Sequence, residues 1–128
     1  MKFIDLETQY NLIRQEVKTG IDRVLESGQY IMGADIIDLE SQLSDFANVK
    51  HTITCSSGTD ALLMALMALG VKHGDIVATT PFTYIATAEV ISLIGAVPMF
   101  IDIDIDTFNM NINALEEQII KSDKSVKY

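Results

Sequence analysis

The chain has 128 residues, 48% hydrophobic and 21% charged, which is long enough to bury a core and too apolar for a disordered polypeptide. Its net charge of −9, with 18 acidic residues against 9 basic ones and no basic stripe, excludes a nucleic-acid surface. A single cysteine, Cys55, excludes an internal disulfide and a thiolate metal cluster. No apolar run reaches membrane-spanning length, and Met1 to Asp5 lacks the apolar stretch of a secretory leader, so a cytoplasmic protein with no membrane partner is expected.

In chain order, Thr8 to Ser27 places Leu12, Ile13, Val17, Ile21, Val24 and Leu25 at helical spacing and stops at Gly28, a natural cap. A turn through Gln29 to Gly33 leads to a second predicted helix, Asp35 to Asn48, with Ile36, Leu39, Leu43 and Phe46 on one face. His51 to Cys55 then reads as a short buried strand, and Thr59 to Leu69 as a helix closed by Gly70. Asp75 to Thr80 is a second strand, Thr83 to Leu93 a helix closed by Gly95, and Val97 to Ile103 a third strand. Asn113 with Glu116 predicts a capping box for a helix to about Lys121, and Ser125 to Tyr128 reads as the start of another strand.

Strands alternating with helices define an α/β protein with a parallel sheet flanked by helices. The organisation expected is a helical segment, 1–50, followed by βαβαβ, 51–128. A parallel sheet of three or four strands whose outermost member is cut short leaves an apolar edge, so the chain reads as part of a larger domain.

Ligands of open parallel sheets bind where strands lead into helices. Ser56-Ser57-Gly58-Thr59-Asp60 occupies such a junction. Gly58 removes a side chain where a ligand must approach the backbone, and the free amides and dipole of a helix N-terminus favour a phosphate. The same residues would equally make an ordinary helix cap. The sequence contains neither Gly-x-x-x-x-Gly-Lys, nor Gly-x-Gly-x-x-Gly, nor Gly-x-Ser-x-Gly, which argues against an ATPase, a dinucleotide-binding domain and a nucleophile elbow. Thr79-Thr80-Pro81-Phe82-Thr83-Tyr84 forms the next junction and brings two aromatics, able to stack on a planar ligand or to pack into the core. The alternating Asp102, Asp104 and Asp106 read as a solvated loop face rather than a metal site, and His51 and His73 as surface residues.

Ser56 to Leu62, then Pro81 to Glu89, then Gly95 to Asp104, with Phe3-Ile4-Asp5-Leu6, Gln9-Tyr10 and Leu25 to Gly33 before them, resemble in order and spacing the DegT/DnrJ/StrS family of sugar aminotransferases. The likeness extends over essentially the whole chain and leans toward members acting on UDP-linked 3-keto sugars. It implies the N-terminal part of the large domain of a fold-type-I enzyme dependent on pyridoxal 5′-phosphate (PLP). Such enzymes move an amino group, typically from L-glutamate, to a nucleotide-linked keto sugar, and act as homodimers. By the resemblance, Gly58, Thr59 and Asp60 would hold the cofactor phosphate through backbone amides and the Thr59 hydroxyl. Tyr84 would stack on the cofactor ring, and Gln29 and Tyr30 would line the sugar site.

The family's lysine that binds the cofactor covalently and its aspartate facing the pyridine nitrogen both fall later than residue 128. No catalytic residue is therefore expected within this chain, and none of its lysines sits in the family's active-site context. Two other expectations stand beside the aminotransferase: a non-catalytic binding or dimerisation remnant, and a dehydratase of the same family with histidine in the lysine's place.

Overall fold

The computed structural model describes residues 3–122 and 126–127. Contacts divide the chain into two compact units, Met1–Thr54 and Cys55–Tyr128.

The first unit holds two helices, α1 (Leu6–Ser27) and α2 (Ala34–Ala47). Asp5 caps α1: its carboxylate accepts from the Thr8 amide at 3.1 Å and the Thr8 hydroxyl at 2.7 Å, which satisfies an otherwise orphan donor. Gly28 ends the helix with φ +67°, as its position in the sequence predicts. The intervening turn is tight, because a Cβ on Gly33 would lie 2.6 Å from the Gln29 carbonyl oxygen. Asn48 closes α2 in the left-handed conformation that asparagine tolerates. Arg23 and Asp35 join the two helices by an ion pair. Their apolar stripes stay open to solvent, with Leu12 81% and Phe46 91% exposed, which marks a surface awaiting cover.

The expected strand at His51 to Cys55 is not formed, and Ile53 is 74% exposed instead of buried. A strand exists through its ladder, and among the described residues no neighbouring strand pairs with this segment. Side chains of α2 hold it: Glu40 Oε1 accepts from the Thr54 amide and hydroxyl, both at 2.8 Å, and Ser44 donates to Thr52 at 2.9 Å. These two Thr54 bonds hold the Glu40 carboxyl below its ordinary value, the amide first.

The second unit contains α3 (Gly58–Ala68), β1 (Ile76–Thr79), α4 (Ala86–Leu93), β2 (Val97–Phe100), α5 (Ile112–Lys121) and β3 (Val126–Lys127). The three strands are parallel in the order β2-β1-β3, with Ile76 opposite Val97 and Val126. Val97 and Ile101 donate to Asp75 and Thr79 at 2.8 Å, so the alternate residue Pro98, which has no N–H, puts that lack on the outer side of β2, as suits an edge strand. Val71, Val77, Ile91 and Ala96 form the core, with Leu66 and Ile94 packed on it. Burying each larger side chain is worth about 1.5–3 kcal/mol.

Several boundaries differ from the sequence reading. Helix α4 starts at Ala86, not Thr83, because residues 81–83 bend and Tyr84 and Ile85 carbonyls accept the first helical amides. Strand β2 stops at Phe100, and Ile103 instead bridges antiparallel to Met110. Asn111, not Asn113, caps α5, accepting from the Ala114 amide at 3.0 Å. The strand expected at 125–128 is present at Val126–Lys127; Ser125 and Tyr128 lie outside the described residues. No helix among the described residues is long and apolar enough to cross a membrane.

Gly95 links the ends of α4 and β2 with φ +80°, and a Cβ there would meet the His73 ring at 2.8 Å. Gly95→Ala is therefore expected to destabilise the second unit by about 1–3 kcal/mol, from left-handed strain and overpacking together. Chemical denaturation of the two proteins measures it.

Candidate functional site

Helix α3 opens on the sequence Ser57-Gly58-Thr59-Asp60. Ser57 is its N-cap: the Asp60 amide donates to the Ser57 hydroxyl at 3.1 Å, and that hydroxyl donates in turn to the Asp60 carboxylate at 3.0 Å. The Ser56 hydroxyl donates to the same carboxylate. These two serines, Ser56 first, hold the Asp60 carboxyl below its ordinary value near 3.8. Asp60 is thus an anion whose charge is met by hydroxyls and by the positive end of the helix.

This geometry sorts the donors that the sequence could only pool. The serine hydroxyls are committed to Asp60 and are not free for a ligand. The Asp60 amide is committed to the cap, so it would have to leave Ser57 to reach a bound anion. The amides of Gly58 and Thr59 and the Thr59 hydroxyl have no partner among the described residues. Nothing lies within 4 Å of where a Gly58 Cβ would stand, so that side of the turn is open. Three donors at a helix N-terminus are of the kind that can bind a small anion.

Tyr84 is 77% exposed and Phe82 65% exposed, so neither belongs to the core formed by the described residues. Phe82 meets Phe108 with ring centroids 5.8 Å apart. An open apolar groove of about 690 Å³ is lined by Thr59, Ile85, Ala88, Leu93, Pro98 and Phe100, among others. Thr59 of the first junction and Ile85, next to Tyr84 of the second, therefore share one groove. Tyr84 is not among its lining residues.

Gln29 and Tyr30 lie in the turn between α1 and α2, in the first unit. The Tyr30 hydroxyl donates to the Leu25 carbonyl at 3.2 Å, while the Gln29 side-chain amide has no partner among the described residues. The acidic run at 102–106 is a turn: the Asp104 carboxylate accepts from the amides of Asp106 and Thr107 and from the Thr107 hydroxyl. Among the described residues no group of three His, Cys, Asp or Glu side chains is placed to hold a metal. Cys55 is exposed, and His51 and His73 are exposed as well.

The chain is 46% identical over 126 residues to UDP-2-acetamido-2-deoxy-3-oxo-D-glucuronate aminotransferase of Pseudomonas aeruginosa, covering 98% of the chain and 35% of that protein. A crystal structure of a DegT DnrJ EryC1 StrS aminotransferase from Brucella abortus superposes with a TM-score of 0.90 and 40% identity, over 98% of this chain and 35% of that one. The structure of NtdA from Bacillus subtilis with bound cofactor PMP superposes with a TM-score of 0.77 and 31% identity, over 80% of this chain and 24% of that one. The chain spans about a third of the length of the curated relatives it matches. The family model for the DegT/DnrJ/EryC1/StrS aminotransferases matches residues 11–127, and the chain belongs to that family.

Proposed function

We propose that these residues form the phosphate-binding and ring-stacking part of a PLP-dependent aminotransferase site that acts on a nucleotide-linked keto sugar with L-glutamate as amino donor. The observation that carries the reading is the start of α3, where the Gly58 and Thr59 amides and the Thr59 hydroxyl have no partner among the described residues. The donor set suits a phosphate: Gly58 and Thr59 supply N–H groups on the helix axis, and the Thr59 hydroxyl adds a third donor. Asp60 opposes an incoming dianion by its charge. The two serine hydroxyls that bind it offset this, and they keep its carboxylate turned to the cap.

In this reading Gly58 and Thr59 bind the phosphate, and Asp60 orders the turn that presents their amides. The exposed ring of Tyr84 covers one face of the cofactor and excludes water from it. Bound there, PLP supplies the electron sink through which an amino group can leave one carbon and join another. Gln29, through its unengaged amide, and Tyr30 contact the sugar. The substrate of the Pseudomonas relative, a UDP-linked 3-oxo sugar acid, gives the substrate class. In this reading the enzyme is cytoplasmic and homodimeric, and the open apolar stripes of α1 and α2 are available to a partner surface. The covalent lysine is contributed from outside residues 1–128.

Because the chain spans about a third of its relatives' length, the test uses the protein extended past residue 128 to include the covalent lysine. It is supplied with PLP, L-glutamate and UDP-2-acetamido-3-oxo-glucuronate, and the products are followed by mass spectrometry; residues 1–128 alone are expected to give none. Formation of 2-oxoglutarate and of an amino sugar in equal amounts is expected. Loss of water from the sugar with no amino transfer would replace the reading with a dehydratase. Borohydride reduction in the presence of PLP is expected to fix no stoichiometric label on any lysine of residues 1–128. A label on one of them would overturn that assignment.

A further inference from the structure

Phe82 and Phe108 make a contact that the function proposed above does not use. Their centroids are 5.8 Å apart with the planes tilted by 30°, inside the range where aromatic pairs attract. Both rings stay more than half exposed, 65% and 57%, so the pair is no part of the core.

Phe108 also has φ +58°, a left-handed conformation that a bulky residue rarely adopts unless its surroundings force it. Here they do. The Phe108 amide donates to the Asp104 carbonyl at 2.9 Å, and the Asp104 amide donates to the Asn109 carbonyl at 2.8 Å. The Asp104 carboxylate gathers three donors from Asp106 and Thr107. Ile103 bridges Met110, and the Asn111 amide donates to the Asp102 carbonyl at 2.9 Å. A glycine or asparagine would fit that backbone more readily, so the phenylalanine sits there against a local preference, and its ring meets that of Phe82.

The loop that carries Phe82 has anchors at both ends. Thr80 donates to the Phe82 carbonyl at 3.4 Å, and the Thr87 amide donates to the Tyr84 carbonyl at 3.1 Å. The hydroxyls of Thr83 and Thr87 bond at 3.2 Å. Between these anchors the Phe82 ring meets that of Phe108.

We propose that Phe108 is a positioning residue: held left-handed by the Asp104 turn, it braces Phe82 and so fixes where Tyr84, two residues on, presents its ring. This rests on the reading of Tyr84 as the ring that stacks on the cofactor.

Three variants of the chain test it, Phe108→Gly, Phe108→Ala and Phe108→Tyr, each read by NMR and by PLP titration. Phe108→Gly removes the ring and relieves the backbone, so it is expected to fold at least as stably as the parent. Its amides at 82–85 should nevertheless shift, and their order parameters should fall from about 0.85 toward 0.6. PLP affinity should drop roughly three- to tenfold. Phe108→Ala should loosen the same amides and also lose stability, since it keeps the strain. Phe108→Tyr should restore both loop and affinity. Unchanged amides at 82–85 in Phe108→Gly would overturn the proposal, and so would a loosened loop with undiminished PLP affinity. If the parent chain binds no PLP, the cofactor reading of Tyr84 falls, and the order parameters at 82–85 still decide whether Phe108 braces the loop.

Discussion

A Gly58→Asp variant is expected to fold at least as stably as the parent chain and to lose about 100-fold in affinity for PLP, some 2.7 kcal/mol. The two halves of this expectation have opposite signs for one physical reason. Gly58 is the first residue of α3, and a Cβ there would meet nothing within 4 Å. An added carboxylate lies at the positive end of the helix, where it stabilises by about 0.3–1 kcal/mol, and replacing glycine removes a flexible residue from the unfolded chain. The same carboxylate faces the position of a phosphate dianion. At about 4 Å and an effective dielectric near 20, like unit charges repel by about 4 kcal/mol, less what salt screens. Thermal denaturation and PLP titration of the one variant measure both signs. An ordinary helix cap with no anion role predicts the gain in stability with no change in PLP binding.

Tyr84→Ala is expected to weaken PLP binding by about 10- to 100-fold, the range seen when a stacked aromatic is truncated to alanine, about 1–3 kcal/mol. Because the ring is 77% exposed, the variant should keep the stability of the parent to within about 0.5 kcal/mol. Tyr84→Phe, which keeps the stacking face and loses the hydroxyl, should bind within about twofold of the parent. Weak binding by both variants would assign the effect to the hydroxyl instead of the ring. Pyridoxamine phosphate should show the same order, since it presents the same pyridine face.

How far the sequence reveals this arrangement depends on how local each determinant is. The ends of α1, α3 and α4 are readable because Gly28, Gly70 and Gly95 each take a positive φ, a demand that only the residue itself has to meet. The apolar spacing of Leu12 to Leu25 fixes α1 for the same reason. His51 to Cys55 fails as a strand because its composition is right while its ladder is not among the described residues; pairing is a property of two segments. Its replacement partner, Glu40 on α2, leaves no mark in the sequence at Thr54. Asn113 misleads because Glu116 completes a capping pattern three residues on, while Asn111, two residues earlier, makes the cap with its own side chain.

The candidate site shows the same division. Gly58, Thr59 and Asp60 stand together at a helix start, as their spacing implies. Which of their amides is free follows from the Ser57 hydroxyl, whose choice of partner is settled by rotamer and not by composition. The acidic run at 102–106 carried a usable signal that a charge-based reading passes over: aspartate with threonine three residues on is turn chemistry. Phe108 gave no such warning, since nothing in Asp-Thr-Phe-Asn announces a left-handed phenylalanine or its contact with Phe82.

The central claim is that the first turn of α3 binds the cofactor's phosphate. Paired titrations of the isotopically labelled chain with PLP and with pyridoxal, which lacks the phosphate, test it through the amide resonances. The Gly58 and Thr59 amides should move furthest with PLP and stay in place with pyridoxal, while the Asp60 amide, held by Ser57, should move less. Equal movement with both compounds, or none at Gly58 and Thr59, would contradict the account.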